Sequence, residues 1–177
     1  MDKKSDYNIV LIGFMGSGKS TVAKELKIRY GMEIVEMDKL ISDREGMSIA
    51  DIFKTHGEQY FRNAETELLK EMQTKSNTVI SCGGGTPLRE CNVTEMRKIG
   101  KIVWLTATAD TIYGRVKDNH DRPLLENNMN PDYIRKMMED RHDRYAAASD
   151  IIVETDGKSM NDICDKIIDK IEYAHTI

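Results

Sequence analysis

A glycine-rich segment near the start of the chain carries the residues with the clearest chemistry. Residues Gly13–Ser20 read Gly-Phe-Met-Gly-Ser-Gly-Lys-Ser and fully match the pattern G-x-x-x-x-G-K-[ST]. The glycines in this pattern let backbone N–H groups turn towards phosphate oxygens, and the helix that follows offers its positive N-terminus to the same anion. Lys19 is expected to reach the β- and γ-phosphates of a nucleotide, and the Ser20 hydroxyl is expected to bind Mg²⁺.

The neighbours of this phosphate loop agree with the motif. The apolar run from Tyr7 to Ile12 predicts a buried strand before it. Residues 19–30 predict a helix after it, and Gly31 is placed to end that helix. A strand followed by a helix is the context that the motif requires, so it argues against an accidental glycine-rich turn.

Asp38 follows a second predicted strand, residues 33–37, and three roles are open for it. It can be a Mg²⁺ ligand, or it can accept the proton of an acceptor hydroxyl or orient that hydroxyl. It can also be only the N-cap of a helix that begins at Lys39. Its position at the end of a strand favours the acceptor role.

Two arginines in distant segments could bind an anionic substrate. Arg62 follows the segment Gly57-Glu58-Gln59-Tyr60-Phe61, and Arg141 lies in a predicted helix over residues 131–145. Each could instead pair with acidic neighbours on its own helix, which for Arg62 are Glu58 and Glu65. If both arginines converged on Asp38, the site would suit a substrate that carries hydroxyls and a carboxylate.

Alternating strands and helices predict an α/β fold with three layers (α/β/α) and a central five-stranded parallel sheet. The residues between 38 and 75 predict helix, interrupted near Gly46 and Gly57. The remaining helices are predicted near 92–98, at 108–117 and at 159–173, and residues 118–130 predict a polar loop. Ligands bind such sheets at the carboxyl ends of the strands. The predicted strands are residues 7–12, 33–37, 78–82, 101–105 and 150–154.

Composition excludes several classes of protein. The net charge of −4 shows no basic excess, so we expect no nucleic-acid partner. No stretch is long and apolar enough to cross a bilayer, and the first six residues are polar, so we expect a cytoplasmic protein without a membrane partner. Three cysteines and four histidines at irregular spacing predict free thiols and no histidine-based metal site.

The phosphate loop by itself does not identify a function. The guanine-reading string N-K-x-D of nucleotide switch proteins is absent, and a motor ATPase needs a longer chain. A small phosphotransferase is therefore expected. A kinase for another polyol acid such as gluconate, and a nucleotide-binding module without turnover, are the alternatives.

The chain resembles a shikimate kinase over nearly its whole length. No matching segment is specific alone, but their order and spacing together are. The matching segments are Gly13–Thr21, Asp38, Gly57–Arg62, Ser81–Gly85, Arg122–Leu124 and Arg141–Tyr145.

This resemblance implies ATP-dependent phosphorylation of the 3-hydroxyl of shikimate, on the route to chorismate and the aromatic amino acids. It implies a monomer with a nucleoside-monophosphate-kinase-like fold, a mobile lid at about 118–130 and a substrate-binding helical segment at about 38–75. Asp38 would hold the reacting hydroxyl, and Arg62 and Arg141 would bind the carboxylate. The substrate hydroxyls would meet the backbone of Gly83, Gly84 and Gly85.

On the nucleotide side, the resemblance implies that Arg122 reaches the phosphates and acts in catalysis with Lys19 and Asp38. Alternatively, Arg122 could be a solvated charge paired with Asp121, and Arg115 could be a solvated surface cation. The implied ATP contacts are Gly16, Ser17, Gly18, Lys19, Ser20, Thr21, Arg115 and Arg122. Ser81 would lie in the outer shell of the Mg²⁺ site, and Glu36 departs from the family, which commonly has Asp there.

Overall fold

Five parallel strands form one sheet in the computed structural model, which describes residues 6–117 and 130–176. The strands lie side by side in the order β2-β3-β1-β4-β5, so β1 is central and both neighbours of β1 are distant in sequence. Their bounds are β1 Ile9–Ile12, β2 Glu33–Glu36, β3 Thr78–Ser81, β4 Lys101–Thr106 and β5 Ile151–Glu154.

The helices that follow the strands in the described residues cover both faces of the sheet. A short 3-10 turn at Thr86–Leu88, which the sequence pattern did not indicate, follows β3. The helices are α1 Lys19–Tyr30, α2 Met37–Glu45, α3 Ile49–His56, α4 Glu58–Met72, α5 Glu90–Ile99, α6 Ala109–Val116, α7 Pro131–Ala148 and α8 Met160–Thr176.

Alternate residues of β1 belong to two different apolar cores. Val10 and Ile12 pack in one core with residues of α2 to α5 and α7, and Ile9 and Leu11 pack in the other with residues of α1 and α8. Successive strand side chains point to opposite faces of a sheet, so a fully apolar strand must be buried on both sides. The three-layer α/β/α prediction is confirmed.

The helix boundaries follow local signals in the sequence. Gly31 ends α1 with φ +65°, and Gly46 ends α2 with the same φ. Gly57 ends α3 and precedes α4 with φ +86°, a conformation that residues with a Cβ rarely adopt. The predicted helical segment 38–75 is therefore three helices with glycines at both junctions.

The predicted lid at 118–130 falls, except for Asn130, outside the described residues, and so does Arg122. On the far side of that gap, Asn130 caps α7 by accepting a hydrogen bond from the Tyr133 N–H at 2.8 Å, and Pro131 is the first helical residue. None of the helices within residues 6–117 and 130–176 is both long and apolar enough to cross a membrane.

Candidate active site

The phosphate loop connects β1 to α1 and depends on two glycines. Gly16 has φ +78° and Gly18 has φ +100°. A Cβ atom added to Gly16 would also lie 2.6 Å from Cγ1 of Val116, so the loop packs tightly against α6. The Lys19 ammonium donates to the carbonyl oxygens of Gly13 at 2.8 Å and Phe14 at 3.1 Å. These two bonds keep the lysine side chain folded against the loop.

Ser17 supports the turn of the loop in this structure. Its N–H donates to the Phe14 carbonyl oxygen at 3.0 Å. Its side chain is 1% exposed, and among the described residues its hydroxyl has no hydrogen-bond partner. A Cβ on Gly13 would lie 2.6 Å from Ser17 Oγ, so the hydroxyl is packed against the loop itself.

Ser20 and Glu36 bring two oxygen ligands together beside the loop. The Ser20 hydroxyl donates to Glu36 Oε2 at 3.0 Å. Glu36 is the residue before α2, yet its side chain makes no capping hydrogen bond, so its carboxylate is directed to Ser20 instead. Hydroxyl and carboxylate oxygens suit Mg²⁺. Within residues 6–117 and 130–176, no group of three or more His, Cys, Asp or Glu side chains lies close enough together to hold a metal ion.

The structure corrects one interpretation of Asp38. Helix α2 begins at Met37 with Glu36 in the capping position, so Asp38 lies inside the first turn, and the N-cap role is wrong. The reason is that β2 ends at Glu36, opposite Ser81 of β3, and the chain enters the helix without an intervening loop. A carboxylate in the first turn still interacts favourably with the helix dipole.

The loop Gly83–Gly85 after β3 brings the three predicted acceptor side chains together. A Cβ on Gly83 would lie 2.7 Å from Asp38 Oδ1, and a Cβ on Gly84 would lie 3.6 Å from Arg141 Nη1. A Cβ on Gly85 would lie 2.5 Å from both Nη atoms of Arg62. Each glycine thus meets a different one of the three side chains, and a side chain on Gly83 or Gly85 would displace its neighbour.

Arg62 is paired on its own helix and also lies against Gly85. Its Nη1 donates to Glu65 Oε2 at 2.8 Å, and its Nε and Nη2 donate to Glu58 Oε1 at 3.2 and 3.1 Å. The helix-surface pairing is therefore present. It does not place Arg62 in solvent, because its side chain is only 16% exposed.

Glu65 is the site residue whose importance the sequence did not indicate. Its side chain is fully buried. The hydroxyl of Thr86, in the turn after Gly85, donates to Glu65 Oε1 at 2.5 Å. Burial raises the pKa of Glu65 and the nearby Asp38 charge adds to the rise; together they outweigh the opposing effects of the Arg62 charge and of the hydrogen bonds from Thr86 and Arg62. In sequence, only the i,i+3 spacing from Arg62 could have indicated it.

Asn92 continues the same polar network to α5. It is fully buried, its side-chain amide donates to the Thr86 carbonyl at 3.0 Å, and its oxygen accepts from Thr66 at 2.6 Å. A buried polar side chain with both ends satisfied fixes the groups around it. The glycine loop is thereby tied to α4 and α5.

Helix α7 is fastened to the same loop. The hydroxyl of Tyr145, which is 2% exposed, donates to the Gly84 carbonyl oxygen at 2.5 Å. The guanidinium carbon of Arg141 lies 5.6 Å from the centre of the Phe14 ring. Arg141 is therefore held between the phosphate loop and the glycine loop.

On the nucleotide side, Arg115 reaches the phosphate loop from α6. Its Nη1 donates to the Gly16 carbonyl at 3.0 Å and contacts Thr155 Oγ1 at 3.4 Å. Arg115 thus links the loop to the segment after β5.

These elements enclose a cleft of about 740 Å³ at the carboxyl ends of the strands. Arg62, Arg141 and Gly85 are not among its lining residues, although Arg141 lies next to Gly84, which is. Among the residues that line it are Gly16, Gly18, Lys19, Ser20, Thr21, Glu36, Asp38, Ser81, Gly83, Gly84 and Arg115.

The sequence model of the family described as "Shikimate kinase" matches residues 15–172. The chain belongs to the shikimate kinase family. A shikimate kinase of Dehalococcoides mccartyi is 41% identical over 174 residues, which are 98% of each chain. One from Geobacter sulfurreducens is 41% identical over 160 residues, which are 90% of this chain and 88% of that one.

A solved structure gives the same result at the level of the fold. The shikimate kinase of Acinetobacter baumannii in complex with shikimate superposes with a TM-score of 0.89 at 29% identity, covering 97% of this chain and 96% of that one. The resemblance drawn from the motifs is thus confirmed. As a member of the shikimate kinase family, the protein has ATP as its co-substrate.

Proposed function

We propose that the protein transfers the γ-phosphoryl group of ATP to the 3-hydroxyl of shikimate, giving shikimate 3-phosphate and ADP. The reaction would serve the synthesis of chorismate and the aromatic amino acids. The observation that carries this proposal is the placement of Asp38, Arg141 and Arg62 against the three successive glycines Gly83–Gly85, in a chain of the shikimate kinase family.

The acceptor side supplies orientation and charge. The Asp38 carboxylate would accept a hydrogen bond from the reacting hydroxyl and aim its oxygen at the γ-phosphorus. Arg62 and Arg141 would bind the shikimate carboxylate, since guanidinium groups bind carboxylates in a fixed geometry. The backbone of Gly83–Gly85 would meet the other hydroxyls.

The donor side supplies charge neutralisation. The backbone of the phosphate loop would hold the β- and γ-phosphates, and Lys19 would exchange its two carbonyl contacts for phosphate oxygens. Arg115 would bind on the nucleotide side from its place at Gly16. The proposed role of Arg122 at the γ-phosphate remains a prediction from the sequence.

The contact between Ser20 and Glu36 fits a Mg²⁺ ion bound with the nucleotide. Ser20 would be a direct ligand, and Glu36 would bind the ion or one of its waters. A Mg²⁺ ion held there would offset part of the negative charge of the phosphates. We further propose that the protein acts as a cytoplasmic monomer without a nucleic-acid or membrane partner.

Release of ADP in a coupled assay, measured with single acceptors, tests the proposed reaction. Shikimate is expected to stimulate release strongly, and gluconate and other hydroxy acids are expected to leave it near the rate without acceptor. Stimulation by gluconate alone would favour the other polyol-acid kinase. No stimulation by any acceptor, with ATP still bound, would favour a binding module without turnover.

Replacing Arg62 with alanine is expected to raise the KM for shikimate by about ten- to a hundredfold, since a hydrogen bond to a charged group is worth about 1.5–3 kcal/mol. The KM for ATP should change little because Arg62 lies on the acceptor side. Steady-state kinetics with each substrate varied in turn measure both values.

Arg44→Ala is the matched control for that variant. Arg44 forms a comparable two-bond pair with Glu71, but its side chain is 47% exposed and it does not lie against Gly85 as Arg62 does, so both KM values should stay unchanged. The proposed binding of the substrate carboxylate by Arg62 would be refuted if Arg62→Ala raised the KM for a shikimate analogue without the carboxylate as much as the KM for shikimate.

A further inference from the structure

A second cavity, of about 750 Å³, lies between α7 and the β4–β5 edge of the sheet. Trp104 and Ile152, which are partners in the parallel register of these strands, both line it. Ile152 is 47% exposed although both of its strand neighbours are buried. The volume is in the range of sites that hold small organic molecules, and the catalytic chemistry described above does not use this cavity.

The lining of this cavity is mainly apolar and rich in aromatic rings. Trp104 meets His142 of α7 edge-on with ring centres 5.4 Å apart, and it meets Tyr145 at 5.6 Å. Phe14 and Met138 also line the cavity. Aromatic side chains and a thioether favour a flat aromatic ring, which they can contact at its face or its edge.

The rim of the cavity is acidic. Glu139 and Asp143 are exposed and line the cavity. Asp143 Oδ1 lies 3.1 Å from Nδ1 of His142, which also lines it, whereas within the part of the chain that the structure describes Glu139 forms no ion pair. The positive charge of Arg135, also at the rim, is already matched by Asp132 at 2.7 Å and Asp110 at 4.0 Å. A ligand with a positive charge at the mouth of the cavity is therefore favoured over a negative one.

We infer that this cavity binds a small aromatic amine, with its ring against Trp104 and its ammonium group at Glu139. Two of its lining residues also touch the substrate site: Phe14 supports Arg141, and Tyr145 donates to the Gly84 carbonyl. An occupant of the cavity therefore alters the position of the groups that hold the acceptor. This effect on the acceptor site rests on the proposed function, whereas binding of the amine to the cavity does not.

Trp104 is the only tryptophan of the chain, so its fluorescence reports on this cavity directly. The probes are phenethylamine, 2-phenylethanol and 3-phenylpropionate, which share a phenyl ring and differ in charge. Saturable changes in fluorescence are expected for all three, with phenethylamine binding about threefold more tightly than the neutral alcohol and 3-phenylpropionate binding most weakly.

The variant Glu139→Lys should remove the preference for the amine, and Asp140→Lys should keep it. Asp140 is the neighbouring exposed acid on α7 and does not line the cavity, so it controls for the general change in charge. Absence of saturable binding in the wild-type protein, or an equal loss in both variants, would overturn the assignment.

Phenethylamine at saturation should also change the dissociation constant of shikimate, measured by calorimetry without ATP, and by linkage shikimate should change the affinity for the amine by the same factor. If the amine binds and neither affinity changes, the coupling between the cavity and the shikimate site is refuted, but binding to the cavity is not. Fluorescence does not depend on turnover, so a failure of the proposed kinase reaction would leave the binding result intact and distinguishable.

Discussion

Replacing Lys19 with alanine is expected to lower the rate of phosphoryl transfer by about a thousandfold or more, because loss of one positioned charge at a phosphoryl group removes transition-state stabilisation of that order. The fold should survive, since Lys19 is the first residue of α1 and alanine is the best helix former. ADP release at saturating ATP and shikimate measures the rate, and thermal unfolding checks the fold.

Lys27→Ala serves as the control for that variant. Lys27 lies in the last turn of the same helix and is exposed, so its removal should leave the rate unchanged. Turnover at the wild-type rate by the Lys19 variant would refute the assignment of residues 13–20 as the phosphate-binding loop of a kinase.

Replacing Asp38 with asparagine is expected to lower the rate by about a hundred- to ten-thousandfold, the range for a general base in proton transfer. The amide keeps the shape of the side chain against Gly83 but cannot accept the proton of the acceptor hydroxyl. ATP affinity, measured by calorimetry, should stay unchanged because Asp38 lies outside the phosphate loop.

Asp43→Asn is the matched control for the Asp38 variant. Asp43 belongs to the same helix, is exposed and pairs with Lys39 on the helix surface, so its replacement should not affect the rate. An unchanged rate in Asp38→Asn would mean that the carboxylate serves only the local structure of α2.

Much of the fold could be predicted because its signals are local. Strand β1 is a continuous apolar run, and α1 spans the predicted residues 19–30 with Gly31 at its end. The phosphate loop is contiguous in sequence, so its pattern could be recognised without knowledge of any other element. The parallel arrangement followed from the alternation of strands and helices.

The support around the site could not be predicted, because it depends on contacts between elements distant in sequence. Glu65 accepts from Thr86 across 21 residues, and Tyr145 donates to Gly84 across 61. Nothing in the spacing of these residues shows which polar group of a helix faces a loop. The N-cap alternative for Asp38 was wrong for a related reason, since the pairing of β2 with β3 sets where α2 begins.

For Arg62, the sequence offered helix pairing and substrate binding as alternatives, and the structure shows that the pairing does not exclude the other role. Glu65 is buried and holds one edge of the guanidinium, while both Nη atoms lie against Gly85. An arginine held in this way needs little reorganisation to bind a carboxylate, because its side chain is already ordered. Pairing on its own helix is thus compatible with a substrate-binding role.

A crystal structure with shikimate and a non-hydrolysable ATP analogue tests the central claim most directly. The distance that decides is the one between the Asp38 carboxylate and the 3-hydroxyl oxygen. We expect a hydrogen bond there, with that oxygen in line with the γ-phosphorus and the shikimate carboxylate on Arg62 and Arg141. Shikimate bound elsewhere, or bound with its carboxylate away from both arginines, would contradict the account.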